Sequence, residues 1–262
     1  MKLHALCSSI TLLTLASLAG AQSLRNRALL SSTQIVVVNT RDWNAVDGIL
    51  WRYERARPSK RWKLAGEPIP VVVGRSGLAW GVGVEPTETR APLDPVKKEG
   101  DGRAPAGIFA LSTAFGYAAQ QPTGWKMPYL NLTPSVECVD DSDSRFYTRI
   151  LDRGTVSPDW RSSEKMLRSD DAYRWGIVVD HNANPPAPGG GSCIFLHIWY
   201  GQGQGTSGCT AMPREQLEAL LAWLDPANNP MLVQFPSAEY KKQRKHWHLP
   251  KLPESLAARG GS

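Results

Sequence analysis

The stretch His197-Ile198-Trp199-Tyr200-Gly201-Gln202-Gly203-Gln204-Gly205-Thr206-Ser207-Gly208-Cys209-Thr210-Ala211-Met212-Pro213 brings a histidine, a glycine-rich loop and a cysteine into one short span. Thiolate is the nucleophilic form of cysteine, and a free thiol ionises near pH ~8.5, so chemistry near neutrality needs a base or positive charge beside it. His197 can supply the base, and a helix opening just after Cys209 can supply unpaired amides and a positive terminus. Gly208 and the amides of Cys209 and Thr210 can donate to an oxyanion. Together these residues describe a Cys/His acyl-transfer site, in which Cys209 is expected to be alkylated faster than an unfolded thiol. Taken singly, each has a plainer reading: a lone cysteine is often a small buried hydrophobe, and a lone histidine on an apolar strand is often a satisfied core residue. The loop 201–206 lacks the Gly-Lys-Ser/Thr of a phosphate cradle, so nucleotide binding is not expected.

Several elements must position these groups. Leu217, Leu220, Leu221 and Leu224 form an i, i+3, i+4, i+7 stripe between Pro213 and Pro226, which predicts one core-facing helix. His197 rides on the apolar run 193–199, and a second such run, 173–180, precedes the Pro/Gly-rich loop 185–191. Shorter strand-like runs at 34–39, 48–55, 62–64, 70–73, 107–111 and 231–235 predict a meander. Residues 85–103 read as an exposed loop, and everything from 237 to 262 reads as a basic, weakly patterned tail. With 42% hydrophobic residues, and with 20 Pro and 23 Gly, the chain can build a core and is neither disordered, collagenous nor coiled coil.

The N-terminus predicts export. Lys2 precedes an apolar run ending in Ala19-Gly20-Ala21, the small-x-small form of a signal-peptidase site, so residues 1–21 read as a signal peptide. No later stretch approaches ~18 uninterrupted apolar residues, so no integral membrane segment is expected. Cys7 leaves with the leader, and Cys138, Cys193 and Cys209 enter an oxidising compartment. Three thiols make one pair and one orphan. Cys138 and Cys193 stand at structural places and Cys209 closes the glycine loop, so Cys138 is paired with Cys193 and Cys209 is left free. The net charge is +6, with much of the excess in Lys241-Lys242-Gln243-Arg244-Lys245. That run is a solvated tail or meets an anionic partner such as a wall polymer or membrane surface. A nucleic-acid partner would need a basic face with stacked aromatics, which the sequence does not reveal. His246 and His248 fall short of the three ligands of a catalytic zinc, so no metal is expected.

The order His197, then Thr206-Ser207-Gly208-Cys209, resembles the signature of the L,D-transpeptidase catalytic domains of bacterial cell-wall enzymes. Lys98-Glu99-Gly100-Asp101-Gly102-Arg103-Ala104-Pro105-Ala106-Gly107-Ile108-Phe109 resembles the same family's Gly-Asp-x-x-Thr-Pro-x-Gly-x-Phe element, with Ala104 in place of Thr. Trp175-Gly176-Ile177 and the segment 191–197 are similar to a branch of it, and the likeness spans residues 34–235. The resemblance implies a mainly β (α+β) fold, a sandwich or barrel with a peripheral helix after the cysteine. It also implies a cofactor-free reaction on peptidoglycan stem peptides in the periplasm or cell wall. Cys209 would attack the carbonyl preceding the terminal D-Ala of a tetrapeptide, and the thioester would pass to an amine as a 3-to-3 cross-link, or to water. His197 would be base and then acid, the Ser207 carbonyl would orient its ring, and Gly208 would shape the oxyanion turn. Thr206, Thr210 and Trp199 would contact substrate. Ala211 departs from the Arg or Asn commonly found two residues after the nucleophile, where Arg can meet a substrate carboxylate. The rival reading is a non-catalytic wall-binding protein on the same fold. His181 reads as a second site histidine or part of a polar turn, and Trp160, Trp175, Trp199 and Trp223 as glycan-groove or packing residues.

Overall fold

The computed structural model describes residues 29–84 and 90–253, so the leader at 1–21 lies outside the described residues. Among the described residues, fourteen strands are formed: β1 (Gln34–Thr40), β2 (Asp47–Glu54), β3 (Lys63–Leu64), β4 (Ile69–Val72), β5 (Leu78–Trp80), β6 (Ala104–Gly116), β7 (Tyr129–Asn131), β8 (Val136–Val139), β9 (Ile150–Asp152), β10 (Ser163–Lys165), β11 (Trp175–Val179), β12 (Phe195–Ile198), β13 (Thr210–Met212) and β14 (Met231–Pro236). The helices are α1 (Arg214–Trp223) and α2 (Ser237–His246).

The main sheet runs β1-β14-β6-β11-β12-β13-β4-β2, and the antiparallel pairing of β2 with β1 closes it into a barrel. Closure removes the exposed edges that β-branched strands such as Ile35-Val36-Val37-Val38 would otherwise present. All four of those residues are fully buried, because one face of β1 looks into the barrel and the other lies under a covering layer. The long strand β6 holds the ring together: Gly107–Ala110 pair with β14, and Leu111–Gly116 pair with β11. Helix α1 buries Leu217, Leu220 and Leu221 against β11 and β12, as its leucine stripe predicts.

Between β7 and β11 the chain leaves the barrel to form a second sheet of order β10-β8-β9. Glu137 pins this small sheet internally. Burial opposes its charge, but hydrogen bonds from Lys165, Ser163 and Trp160 prevail and hold its pKa at about 2. The Cys138–Cys193 disulfide, with Cα atoms 5.9 Å apart, ties the small sheet to the segment entering β12, and Cys209 is the free cysteine among the described residues, as the sequence predicts.

Two expectations are corrected here. Residues 237–253 are not an unstructured tail: Ser237–His246 form α2, which packs on β14 and β1, and Tyr240, Trp247 and Leu249 are buried. Its inner face carries Glu239 and Gln243, which satisfy each other through a 2.8 Å hydrogen bond, so no apolar stripe marks it in the sequence. The described part of the expected loop, 90–103, is likewise no simple exposed loop, since Val96 bridges to Trp80 and Lys97 is buried. Among the described residues, no helix is long and apolar enough to cross a membrane.

Candidate active site

Strands β12 and β13 are parallel, with Leu196 opposite Thr210 and His197 opposite Ala211. Side chains alternate along a strand, so this register puts His197 and Cys209 on one face, diagonally adjacent. Both line a cavity of about 510 Å³, together with Lys97, Glu164, Arg168 and Tyr173.

Cys209 is 7% exposed. Its Sγ accepts a hydrogen bond from the Phe195 amide at 3.3 Å and donates one to the Cys193 carbonyl at 3.5 Å. Burial, reinforced by the nearby Glu164 carboxylate, pushes the thiol up to about 12. His197 is equally enclosed, and its Nδ1 lies 2.8 Å from the Ile198 carbonyl oxygen. A carbonyl can only accept, so Nδ1 carries the proton and Nε2 keeps its lone pair. Burial lowers the imidazole to about 4, so at neutral pH the site holds a neutral thiol beside a neutral base.

Several sequence-predicted roles are redistributed. The carbonyl that orients the imidazole belongs to Ile198, one residue along the strand, and not to Ser207, whose Oγ instead accepts from Arg75 at 3.3 Å. No helix terminus abuts Cys209, because β13 intervenes and α1 begins only at Arg214. Thr210 is not a substrate contact: strand alternation turns it to the opposite face, where its hydroxyl donates to Gln234 at 2.7 Å. Trp199 is not on the cavity wall. Thr206 is, and it locks the turn at Cys209, with Oγ1 donating to the Cys209 carbonyl at 2.6 Å and accepting from the Gly208 amide at 3.1 Å. That bond commits the Gly208 amide.

His181 lies outside this cavity. It is buried, accepting from the Val82 amide at 3.2 Å and donating to the Gly190 carbonyl at 3.0 Å, and burial lowers it to about 3. Trp160 packs edge-on against Phe146, and the Trp175 indole donates to Glu218 on α1, so both are packing residues. The sequence reading missed Glu164 and Tyr173. Neither sits in a motif, and both reach the cavity of Cys209 only through the fold. Lys97 was missed too, although Asp101 of the Gly-Asp element holds it by a 2.6 Å ion pair at the cavity wall. Among the described residues, no group of three or more His, Cys, Asp or Glu side chains is placed to hold a metal ion.

A closed barrel that sets a free cysteine and a tautomer-fixed histidine side by side on parallel strands has the layout of a cysteine acyltransferase. The family model for the YkuD L,D-transpeptidase catalytic domain matches residues 34–233, and the chain belongs to that family, whose members act on peptidoglycan peptides. No curated protein and no solved structure matches the chain.

Proposed function

We propose that this is an exported peptidoglycan L,D-transpeptidase with Cys209 as nucleophile. The observation that carries the reading is the free Cys209 sharing a strand face and cavity with His197, whose Nε2 is left unprotonated. As Sγ attacks the carbonyl preceding the terminal D-Ala, Nε2 takes the thiol proton, and it then returns that proton to the departing D-Ala nitrogen as the C–N bond breaks. We assign oxyanion stabilisation to the Cys209 amide, in the turn that Thr206 locks. The thioester then passes to a side-chain amine of a second stem, giving the 3-to-3 link, or to water. These steps call on no cofactor: the attacking electron pairs come from Cys209 and then the acceptor, and His197 relays the thiol proton.

Export is supported by the leader-like residues 1–21 and by the disulfide, a bond that persists in oxidising compartments. An anionic wall polymer is the partner we assign to the basic groove formed by Arg55, Lys60, Arg61, Arg244, Lys245 and Lys251. The experiment is mass spectrometry of disaccharide tetrapeptides incubated with the mature protein, beside Cys209→Ala and His197→Ala. Wild type releases D-Ala, and each variant loses at least ~100-fold of that rate. A wild type with intact, free Cys209 that releases no D-Ala would refute the assignment and leave the wall-binding reading standing.

A further inference from the structure

Resting on the transpeptidase reading, we propose that Glu164 is the base that receives a proton from the incoming ammonium group, so that it commits the thioester to cross-linking over hydrolysis.

Three links put Glu164 at the thioester. On β10 it is the register partner of Cys138, Cys138 is bonded to Cys193, and the Cys193 carbonyl accepts from the Cys209 thiol. It lines the same cavity as Cys209 and His197, with 29% of its side chain exposed. Its Oε1 accepts a 2.6 Å hydrogen bond from Tyr173, whose ring packs edge-on against the His197 imidazole at 5.2 Å. One aromatic residue, Tyr173, therefore bridges the Glu164 carboxylate and the His197 ring.

Proton counting says why a second base is needed. A diamino-acid side chain arrives as an ammonium, and its nitrogen must shed two protons to become an amide. Thioester plus R–NH3+ gives amide, thiol and one further H+. His197 relays one proton to the leaving Cys209 sulfur, and the other has no recipient in a Cys/His pair alone. Water attacks with its lone pair already free and gives one proton to the same relay, and the acid it forms ionises to solvent only after the C–O bond is made. Glu164 takes the extra proton from the ammonium, freeing the lone pair for attack, and passes it to solvent after release. Burial raises its affinity for a proton, with the Tyr173 hydrogen bond and Arg168 opposing that effect and Asp140 and Glu99 adding to it.

The test compares wild type, Glu164→Gln and Glu164→Asp on disaccharide tetrapeptides, reading the ratio of cross-linked dimer to hydrolysed tripeptide. That ratio is independent of how much of each variant folds. Glu164→Gln is expected to lower it roughly 100-fold, and Glu164→Asp to restore part of it. Hydroxylamine, which is neutral near physiological pH, has no extra proton to lose, so its capture of the acyl group relative to water is expected to survive Glu164→Gln. An unchanged dimer-to-tripeptide ratio overturns the proposal, as does equal loss of hydroxylamine capture, which would mark Glu164 as a shaping residue. A wild type that releases D-Ala yet never uses an amine removes the role of Glu164 while leaving Cys209 as nucleophile. One that releases none refutes the underlying reading instead.

Discussion

Cys209 and His197 rest as a neutral pair, which argues for slower alkylation than the sequence alone leads one to expect. With the thiol raised to about 12 and only 7% exposed, iodoacetamide should label Cys209 more slowly than an unfolded control, and urea should speed the reaction. The same values bear on turnover. His197 works as a base only when unprotonated, so kcat/KM should hold its plateau down to about pH 4 and fall below it, whereas an unperturbed imidazole would begin to fail near 6.5. A pH–rate profile checks this, and a limb near 6.5 would show that the imidazole is solvated in the free enzyme. Thr206 is the other informative residue. Thr206→Val removes both hydrogen bonds at the Cys209 turn, so kcat should fall while overall stability drops by about 2 kcal/mol.

At the scale of elements, the small β10-β8-β9 sheet is a separate layer whose position depends on the Cys138–Cys193 bond. That bond closes a loop of 55 positions, so chain-entropy reasoning gives it a stabilising effect of roughly 4 kcal/mol, mostly through the unfolded state. The paired substitution Cys138→Ala with Cys193→Ala should therefore lower Tm by several degrees. It should also lower D-Ala release, because the Cys193 carbonyl that accepts from the thiol loses its anchor. Thermal unfolding with and without reductant checks the first part, and an unchanged Tm would contradict it. The strands of this sheet are three or four residues long, and their apolar positions are few, so they carry almost no periodic signal. By contrast, β1, β2, β12, β14 and the leucine stripe of α1 are legible because each buries a dense apolar run.

At the scale of the whole molecule, two features follow from assembly. The buried, neutral His181 and His197 bind protons less readily folded than unfolded, since both fall from 6.5 to about 3 and about 4. Stability is therefore fully present above pH 6.5 and is lost as pH falls toward those values, by about 2 kcal/mol each at pH 5. Denaturant titrations at pH 7 and pH 5 measure this directly. The second feature is the basic groove, where residues 55–62 meet residues 244–251 and Arg55 lies 4.1 Å over the Trp62 ring. Binding to purified cell wall should weaken as salt rises and fall further in Arg244→Glu with Lys245→Glu, as screening of a surface contact requires. The sequence read this basic stretch as a tail with no aromatic partner, because its two halves lie far apart along the chain. What the sequence determined by itself was whatever is local: the Cys/His pair on its strand and loop, the Gly-Asp element, the leucine helix and the spare cysteine. Only the tertiary structure decided the remainder, namely which carbonyl fixes His197, which face Thr210 takes, the medium that sets the thiol's pKa, and the arrival of Glu164 beside Cys209. Register, burial and long-range contact are properties of two segments at once, and no single segment's composition encodes them.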